Sequence, residues 1–223
     1  MGGDGNCDGD GTGATMAIDV RRERAELYRA GARDFVEVVV PPAEYLAVDG
    51  HGDPNTSDDY AAAAAALYTA GYAVRAAVKA RTGEAFVVGP LEGLWTAADP
   101  AAFATGRKAD WDWTMLIPLP AVVSAEDVAA GLATAAERKP DVPVSRVRPL
   151  ALDEGRSLQI LHVGSYDDEA PTLARLHHEV MPARGFTWNG PHHEIYLGDP
   201  RRVPPERLRT VLRQPVRPVR PVG

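Results

Sequence analysis

The 223-residue chain contains 45% hydrophobic residues and carries a formal net charge of −7, from 24 Lys and Arg against 31 Asp and Glu. This length and apolar content suffice for one domain with a substantial core. The negative charge repels phosphate backbones and anionic membranes, so we expect no direct nucleic-acid or membrane partner. The single cysteine, Cys7, excludes an intrachain disulfide. The N-terminus lacks the layout of a signal peptide, and no apolar run approaches the roughly 18 residues of a membrane span, which predicts a cytoplasmic protein.

The two ends of the chain differ in composition from its centre. Residues 1–33 are predicted to be a leader: 1–15 are rich in Gly and Asp and have too few apolar residues to offset the entropy of folding, whereas 17–30 predict a short charged helix. The domain itself is predicted over 34–217. Residues 218–223, rich in Pro, Val and Arg, predict a flexible tail.

Between these ends, strand and helix patterns alternate. β-branched or alternating runs predict strands at 35–40, 45–48, 86–88, 91–96, 111–119, 142–152, 157–163, 192–197 and 208–216. Ser57 and Ser124 are predicted N-caps of two helices that end near Gly83 and Lys139. A third helix is predicted between Asp167 and Gly185.

The order of these elements repeats. Residues 45–119 and 158–216 each predict strand, helix, strand, strand, which indicates two related halves. The predicted fold class is therefore α+β, a duplicated β-α-β-β module. Helices are expected on one side of mostly antiparallel sheets, and the other sheet faces are expected to meet around a central pocket.

Three tryptophans lie close together in the first half. Strand alternation places Trp111 and Trp113 on one face, and Trp95 lies on the preceding strand. Indole rings offer a large flat area at a small entropic cost, so we predict a wall on which an aromatic ligand stacks. Packing in an ordinary core is the alternative.

One carboxylate interrupts an apolar strand of the second half. Alternation puts His192, Glu194 and Tyr196 on one face, which we expect to point away from the helices. Burial raises the pKa of a carboxylic acid, which suits Glu194 to act as a general base or as a receptor for a cation. An exposed Glu on a solvated face is the alternative. Adjacent strand residues point in opposite directions, so His192 and His193 do not predict a zinc site.

Signatures of the common cofactor-dependent classes are missing. The sequence has no glycine-rich nucleotide fingerprint, no Cys/His metal pattern and no G-x-S-x-G turn. We therefore predict no cofactor and no metal.

Three segments together carry a family resemblance: Gly89-Pro90-Leu91-Glu92-Gly93-Leu94-Trp95, Trp111-Asp112-Trp113-Thr114 and His193-Glu194-Ile195-Tyr196-Leu197-Gly198-Asp199-Pro200-Arg201-Arg202. With them, about 34–217 resembles the GyrI-like small-molecule-binding family. The resemblance implies a duplicated β-α-β-β module with a central pocket, found in drug-sensing regulators, in a gyrase inhibitor and in stand-alone proteins. Some similar stand-alone members hydrolyse DNA alkylators that contain a cyclopropane. Glu194 occupies the place of a glutamate that meets cationic ligands in drug sensors of the family, whereas Thr96 stands where a second Trp is frequent.

Two functional hypotheses follow. In the first, the protein is a hydrolase: a flat aromatic molecule stacks on the tryptophans, Glu194 activates water, and Tyr72 or Tyr68 donates a hydrogen bond to the carbonyl that gains charge. Tyr196 and Glu92 are further candidates for ligand contact. In the second, the protein only binds an aromatic or cationic molecule, as a sequestering protein or a sensor. Inhibition of gyrase is a third reading that no motif supports. The oligomeric state is not predicted.

Overall fold

A computed structural model describes residues 17–97 and 107–219 and has the predicted α+β architecture. Its strands are β1 (Val36–Val40), β2 (Ala43–His51), β3 (Glu92–Ala97), β4 (Trp111–Leu119), β5 (Arg148–Leu152), β6 (Gly155–Val163), β7 (Phe186–Trp188), β8 (His192–Tyr196) and β9 (Arg209–Pro218). Its helices are α1 (Val20–Glu23), α2 (Ala25–Tyr28), α3 (Asp58–Thr82), α4 (Ala125–Arg138), α5 (Ala170–Arg175) and α6 (Met181–Ala183), with a π-helical turn, Leu176–Val180, between the last two.

The strands form a single antiparallel sheet in the order β1-β6-β9-β8-β3-β4-β2-β5, with β7 added beside β9. The triplet β2-β4-β3 of the first half is mirrored by β6-β9-β8 of the second, and the halves join where β3 pairs with β8. This confirms the duplicated β-α-β-β arrangement. The join places Gly93 opposite Glu194, and Trp95 opposite His192.

The helices α3 to α6 cover one side of the sheet. Ser57 and Ser124 cap α3 and α4 as predicted, and the Ser124 cap is a reciprocal capping box with Asp127. The buried residues of α3, which include Leu67, Val74 and Val78, join Leu46 and other strand residues in the largest core cluster.

The prediction that no apolar run is long enough for a membrane span needs a correction. By length and composition α3 qualifies, with a mean hydropathy of 1.2 over its most apolar window. Its Ala-rich sequence raises the hydropathy, while Leu67 and Val74 pack on the sheet, as in the core helix of a folded domain.

Residues 17–33 lie against the opposite face of the sheet. Val20, Leu27 and Tyr28 pack on Ile195 and Val211 in a second apolar cluster. The predicted short helix is present as the two single turns α1 and α2. The predicted disorder of 1–15 lies outside the described residues, as does most of the predicted tail.

Local details differ from the predicted strands. The predicted strand 86–88 is reduced to a bridge between Phe86 and Ile18, and the predicted strand 142–152 is a 3-10 turn followed by β5. Pro90 follows the first segment, and Pro143 and Pro149 lie within the second. Proline has no backbone N–H, so it removes a donor from the hydrogen-bond ladder of a sheet. The short strand β7 was not predicted.

Candidate functional site

Glu194 lies on the same face of the sheet as Trp95 and Trp113. The pairings of β8 with β3, and of β3 with β4, put all three side chains on one side of the pleat. The expectation that this face points away from the helices was wrong: Trp95 and Trp113 share their core cluster with α3. In each half the helices cover the outer pair of strands. The face that β3 and β8 share is therefore on the helical side of the sheet, between the two groups of helices.

Aromatic rings surround this position on β3, β4 and α3. The Tyr60 ring stacks against Trp95 at a centroid distance of 6.3 Å and meets Trp113 edge-on at 5.3 Å. Trp95 also meets Trp111 edge-on at 5.5 Å. From the second half, Tyr166 packs edge-on against Tyr196 at 5.5 Å. We call Tyr60, Trp95, Trp111, Trp113, Tyr166 and Tyr196 the aromatic cluster.

A chain of hydrogen bonds links the aromatic cluster to the carboxylate. The indole N–H of Trp95 donates to the hydroxyl of Tyr196 over 3.1 Å, and this hydroxyl donates to Oε2 of Glu194 over 2.8 Å. Gly93 leaves room for the chain. A Cβ at Gly93 would lie 3.0 Å from both Trp95 Nε1 and Tyr196 Oη, and 3.3 Å from Met115 Sδ. A side chain at this position of the strand would therefore force the indole or the phenol to shift.

Burial determines the protonation of Glu194. The residue is 9% exposed, and burial raises the pKa of its carboxyl to about 7. The Tyr196 hydroxyl and the positive charges of His193 and Lys108 oppose this rise by favouring the ionised form. Glu194 thus changes charge near neutral pH, as the sequence-based argument anticipated.

A second buried carboxyl, Glu169, belongs to the same region and was missed from the sequence. Burial first, and the negative charge of Glu194 second, raise the pKa of Glu169 to about 10. Its Oε1 has no hydrogen-bond partner among the described residues. In the sequence the acids at 167–169 resemble an ordinary helix start. Glu169 does occupy the N-cap of α5, but its side chain makes no capping bond and is only 4% exposed.

The remaining candidates from the sequence lie elsewhere. Tyr72 is 60% exposed, off the buried stripe of α3, and no described contact joins it to Glu194. Tyr68 is half-buried, and its hydroxyl interacts with the backbone of Leu91. The α3 tyrosine that contacts the tryptophans is Tyr60, which lies on a different face of the helix from Tyr72. The spacing of three and then four residues from Tyr60 to the buried Ala63 and Leu67 could have indicated from the sequence that Tyr60 faces the core.

Glu92 points to the opposite face of the sheet, away from the aromatic cluster. There the imidazole of His193 contacts Glu92 at 2.9 Å through Nε2 and Glu154 at 3.0 Å through Nδ1. The Arg213 guanidinium donates to Glu154 over 3.1 Å, and the Tyr28 hydroxyl donates to Glu92 over 2.8 Å. Burial lowers the pKa of His193, but the two carboxylates outweigh burial and raise it to about 9. We call these five residues the buried ion network.

The aromatic cluster is closed in on itself. Trp95 and Trp113 are almost fully buried, and the Tyr60 ring packs against both of them. A surface cavity of about 400 Å³ lies elsewhere, beside β6 and α5, with His162 and Arg175 in its lining. Within the cluster, Tyr60, Trp111, Tyr166 and Tyr196 are only partly buried. Among the described residues no three His, Cys, Asp or Glu side chains are grouped as ligands of a metal ion.

With this geometry established, residues 32–217 match the GyrI-like small molecule binding domain. The chain belongs to the GyrI-like family. The resemblance drawn from the Trp and His-Glu segments is thereby confirmed. No curated protein sequence is significantly similar to the chain.

Solved structures support the assignment of the GyrI-like domain. An uncharacterized conserved protein from Listeria innocua is 34% identical, with a TM-score of 0.81 over 90% of this chain and 100% of that chain. A hydrolase from Listeria innocua is 33% identical, with a TM-score of 0.76 over the same shares. The C-terminal domain of EcmrR shares the fold at 10% identity, with a TM-score of 0.55 over 83% of this chain and 98% of that domain.

Proposed function

We propose that this GyrI-like protein hydrolyses aromatic genotoxins that contain a cyclopropane ring, as a detoxification or self-resistance enzyme. The observation that carries the proposal is the position of the buried Glu194 carboxyl beside the aromatic cluster. Burial raises the pKa of this carboxyl to about 7. A hydrolase from Listeria innocua with 33% identity over 90% of this chain supports a hydrolytic reaction.

The chemistry follows from the two kinds of side chain. A flat ligand replaces ring contacts within the aromatic cluster by stacking on Trp95 and Trp113. Ionised Glu194 removes a proton from a water molecule, whose oxygen attacks the strained CH₂ carbon. One carbon–carbon bond of the cyclopropane breaks, and its electron pair moves through the conjugated ring to a carbonyl oxygen, which becomes a hydroxyl after protonation.

The donor to that carbonyl requires a change from the sequence hypothesis. Tyr72 is too exposed to act beside Glu194, so we no longer assign it this role. The Tyr60 hydroxyl lies in the aromatic cluster, as does the indole N–H of Trp113, which has no hydrogen-bond partner within residues 17–97 and 107–219, and both groups are hydrogen-bond donors.

The test compares wild type with Glu194→Gln, which keeps the shape of the side chain but cannot accept the proton. We expect the substitution to abolish ring opening of a cyclopropane-bearing alkylator, read by mass spectrometry, while tryptophan quenching shows binding within about tenfold of wild type. Glu206→Gln, which changes an exposed acid, is the matched control. Equal turnover by Glu194→Gln and wild type would remove Glu194 from the mechanism.

Binding without catalysis is the second candidate. A carboxylate among aromatic rings also fits an organic cation, which gains from ring faces and from the charge of Glu194. The same experiment separates the candidates, because a sequestering protein or sensor quenches and then returns the drug with its mass unchanged.

A further inference from the structure

Glu169 is a buried carboxyl that the mechanism above does not use. It lies in the 3-10 turn Tyr166–Glu169, and Tyr166 of the same turn packs on Tyr196, the residue whose hydroxyl donates to Glu194. Thr210 of β9 is directly opposite Tyr196 in the sheet. The Thr210 hydroxyl interacts with the Glu169 carboxyl, so Glu169, from the helical layer, and Glu194, from the sheet, both lie beside the Tyr196–Thr210 pair.

An unsatisfied carboxyl oxygen distinguishes this place from an ordinary helix start. Oε1 of Glu169 is buried without a hydrogen-bond partner in the described part of the chain, whereas the buried Thr210 hydroxyl interacts with the Glu169 carboxyl and lowers its pKa. A buried carboxyl oxygen without a partner is costly, and such atoms are rare unless a bound group or water completes them.

We propose that Glu169 is the proton donor that works with Glu194, and this role rests on the proposed hydrolase function. Glu194 takes a proton from water as the new carbon–oxygen bond forms. Glu169 gives its proton to the carbonyl oxygen that receives the electron pair of the broken carbon–carbon bond. After the step Glu194 is protonated and Glu169 is ionised, and transfer of one proton from Glu194 to Glu169 restores the pair.

The surrounding charges agree with this division of roles. Glu169 faces Glu194 on β8, the Thr210 hydroxyl on β9, and Lys108 and Asp167, which pair with each other over 2.7 Å. Burial and the Glu194 charge outweigh Lys108 and Thr210, so the pKa of Glu169 rises to about 10 while that of Glu194 rises only to about 7. Between these values the pair holds one proton, on Glu169, as an acid and base acting together require.

The decisive variant is Glu169→Gln, which keeps the shape and an N–H donor but has no proton to give. We expect kcat to fall at least about 100-fold, with binding of the alkylator unchanged within about tenfold by tryptophan quenching. Wild type should lose activity below about pH 7, where Glu194 is protonated, and above about pH 10, where Glu169 is ionised. In Glu169→Gln the decline above pH 10 should be absent, and the decline below pH 7 should remain. A purely structural Glu169 would tolerate the amide, so wild-type turnover with an unchanged pH profile would overturn the proposal.

Two controls keep the outcomes separate. Wild type that leaves the alkylator intact would reject the hydrolase and this role together, whereas an active wild type with an active Glu169→Gln would reject this role alone. Glu169→Asp keeps a titratable acid, so it should retain the alkaline limb even if Glu169→Gln folds poorly by near-ultraviolet circular dichroism. Carbon-13 NMR of labelled glutamate, recorded without substrate, should show one carboxyl that titrates near pH 10 in wild type. In Glu194→Gln this titration should move to lower pH, because the negative charge of Glu194 is gone. A wild-type spectrum without such a carboxyl would also overturn the proposal.

Discussion

The hydroxyl of Tyr196 donates a 2.8 Å hydrogen bond to Oε2 of Glu194, two residues away on the same strand face. The hydroxyl oxygen of Tyr196 also accepts the Trp95 indole N–H, so the carboxylate and the aromatic cluster respond to each other. A ligand that displaces the indole would change the donor strength of Tyr196 and hence the charge state of Glu194. Binding and proton affinity are therefore linked at this site.

Tyr196→Phe tests this link. The hydroxyl lowers the pKa of Glu194, so its removal should raise that pKa above about 7. Binding of an aromatic quaternary ammonium probe needs ionised Glu194, and its midpoint, measured by tryptophan quenching against pH, should move to higher pH. Tyr72→Phe, on an exposed part of α3, should leave the midpoint unchanged. A midpoint that stays or falls in Tyr196→Phe would contradict the hydrogen-bond argument.

Gly93→Ala should disrupt the same chain of hydrogen bonds without removing any of its polar groups. The added Cβ would lie 3.0 Å from Trp95 Nε1 and from Tyr196 Oη, so the two must separate. We expect a binding loss of about fivefold for an aromatic probe, equal to the roughly 1 kcal/mol of one hydrogen bond. Gly31→Ala, where nothing lies within 4 Å of the new Cβ, is the control. An indole fluorescence spectrum and affinity identical to wild type would show that the chain tolerates the shift.

The sequence predicted what depends on local pattern and missed what depends on the packing of distant elements. Alternation along one strand correctly grouped His192, Glu194 and Tyr196, because the pleat is a local property. The side of the sheet was wrong, because it depends on how two halves join at β3 and β8. Glu169 resembled a helix-start acid, and its burial follows from contacts with strands about 25 to 40 residues away in the sequence.

Tyr60→Ala should weaken aromatic ligands, whereas Tyr72→Ala should not. Tyr60 contacts both Trp95 and Trp113, so its loss removes one wall of the aromatic cluster. A single aromatic contact contributes about 0.5–1.5 kcal/mol, so we expect affinity to fall up to about tenfold. Titration of both variants with one flat aromatic probe measures this. Equal affinities for the two variants would place the ligand away from Tyr60.

The buried ion network should make stability depend on pH on both sides of a plateau. Burial raises the pKa of Glu154, but His193 and Arg213 outweigh it and lower the pKa to about 2, so this contribution is complete above about 4.5 and lost as the pH falls towards 2. The pKa of His193 is raised to about 9, so its contribution is complete below 6.5 and lost as the pH rises through 9. Both shifts report the same ion pair, worth on the order of 3 kcal/mol.

Urea unfolding of wild type and His193→Gln between pH 3 and 10 isolates this dependence, and the difference in the free energy of unfolding between the two should be greatest between about pH 4.5 and 6.5. In His193→Gln the part of the alkaline decline that comes from the imidazolium should disappear, while the part that comes from the raised pKa values of Glu194 and Glu169 should remain. A decline of the same size in that variant would assign it to other groups.

Arg213→Met should release residues 17–31 from the sheet. The guanidinium pairs with Glu154 and also donates to the Leu27 carbonyl over 2.8 Å, so its loss leaves Glu154 without this partner and frees the N-terminal segment. Removal of one partner of a buried pair costs about 3–5 kcal/mol, which urea unfolding measures. Arg207→Met, at an exposed position, should stay within about 0.5 kcal/mol of wild type. In Arg213→Met, hydrogen exchange should rise in residues 17–31 before it rises in α3, because the guanidinium connects residues 17–31, and not α3, to the sheet. Uniform exchange in both regions would mean that residues 17–31 unfold together with the domain.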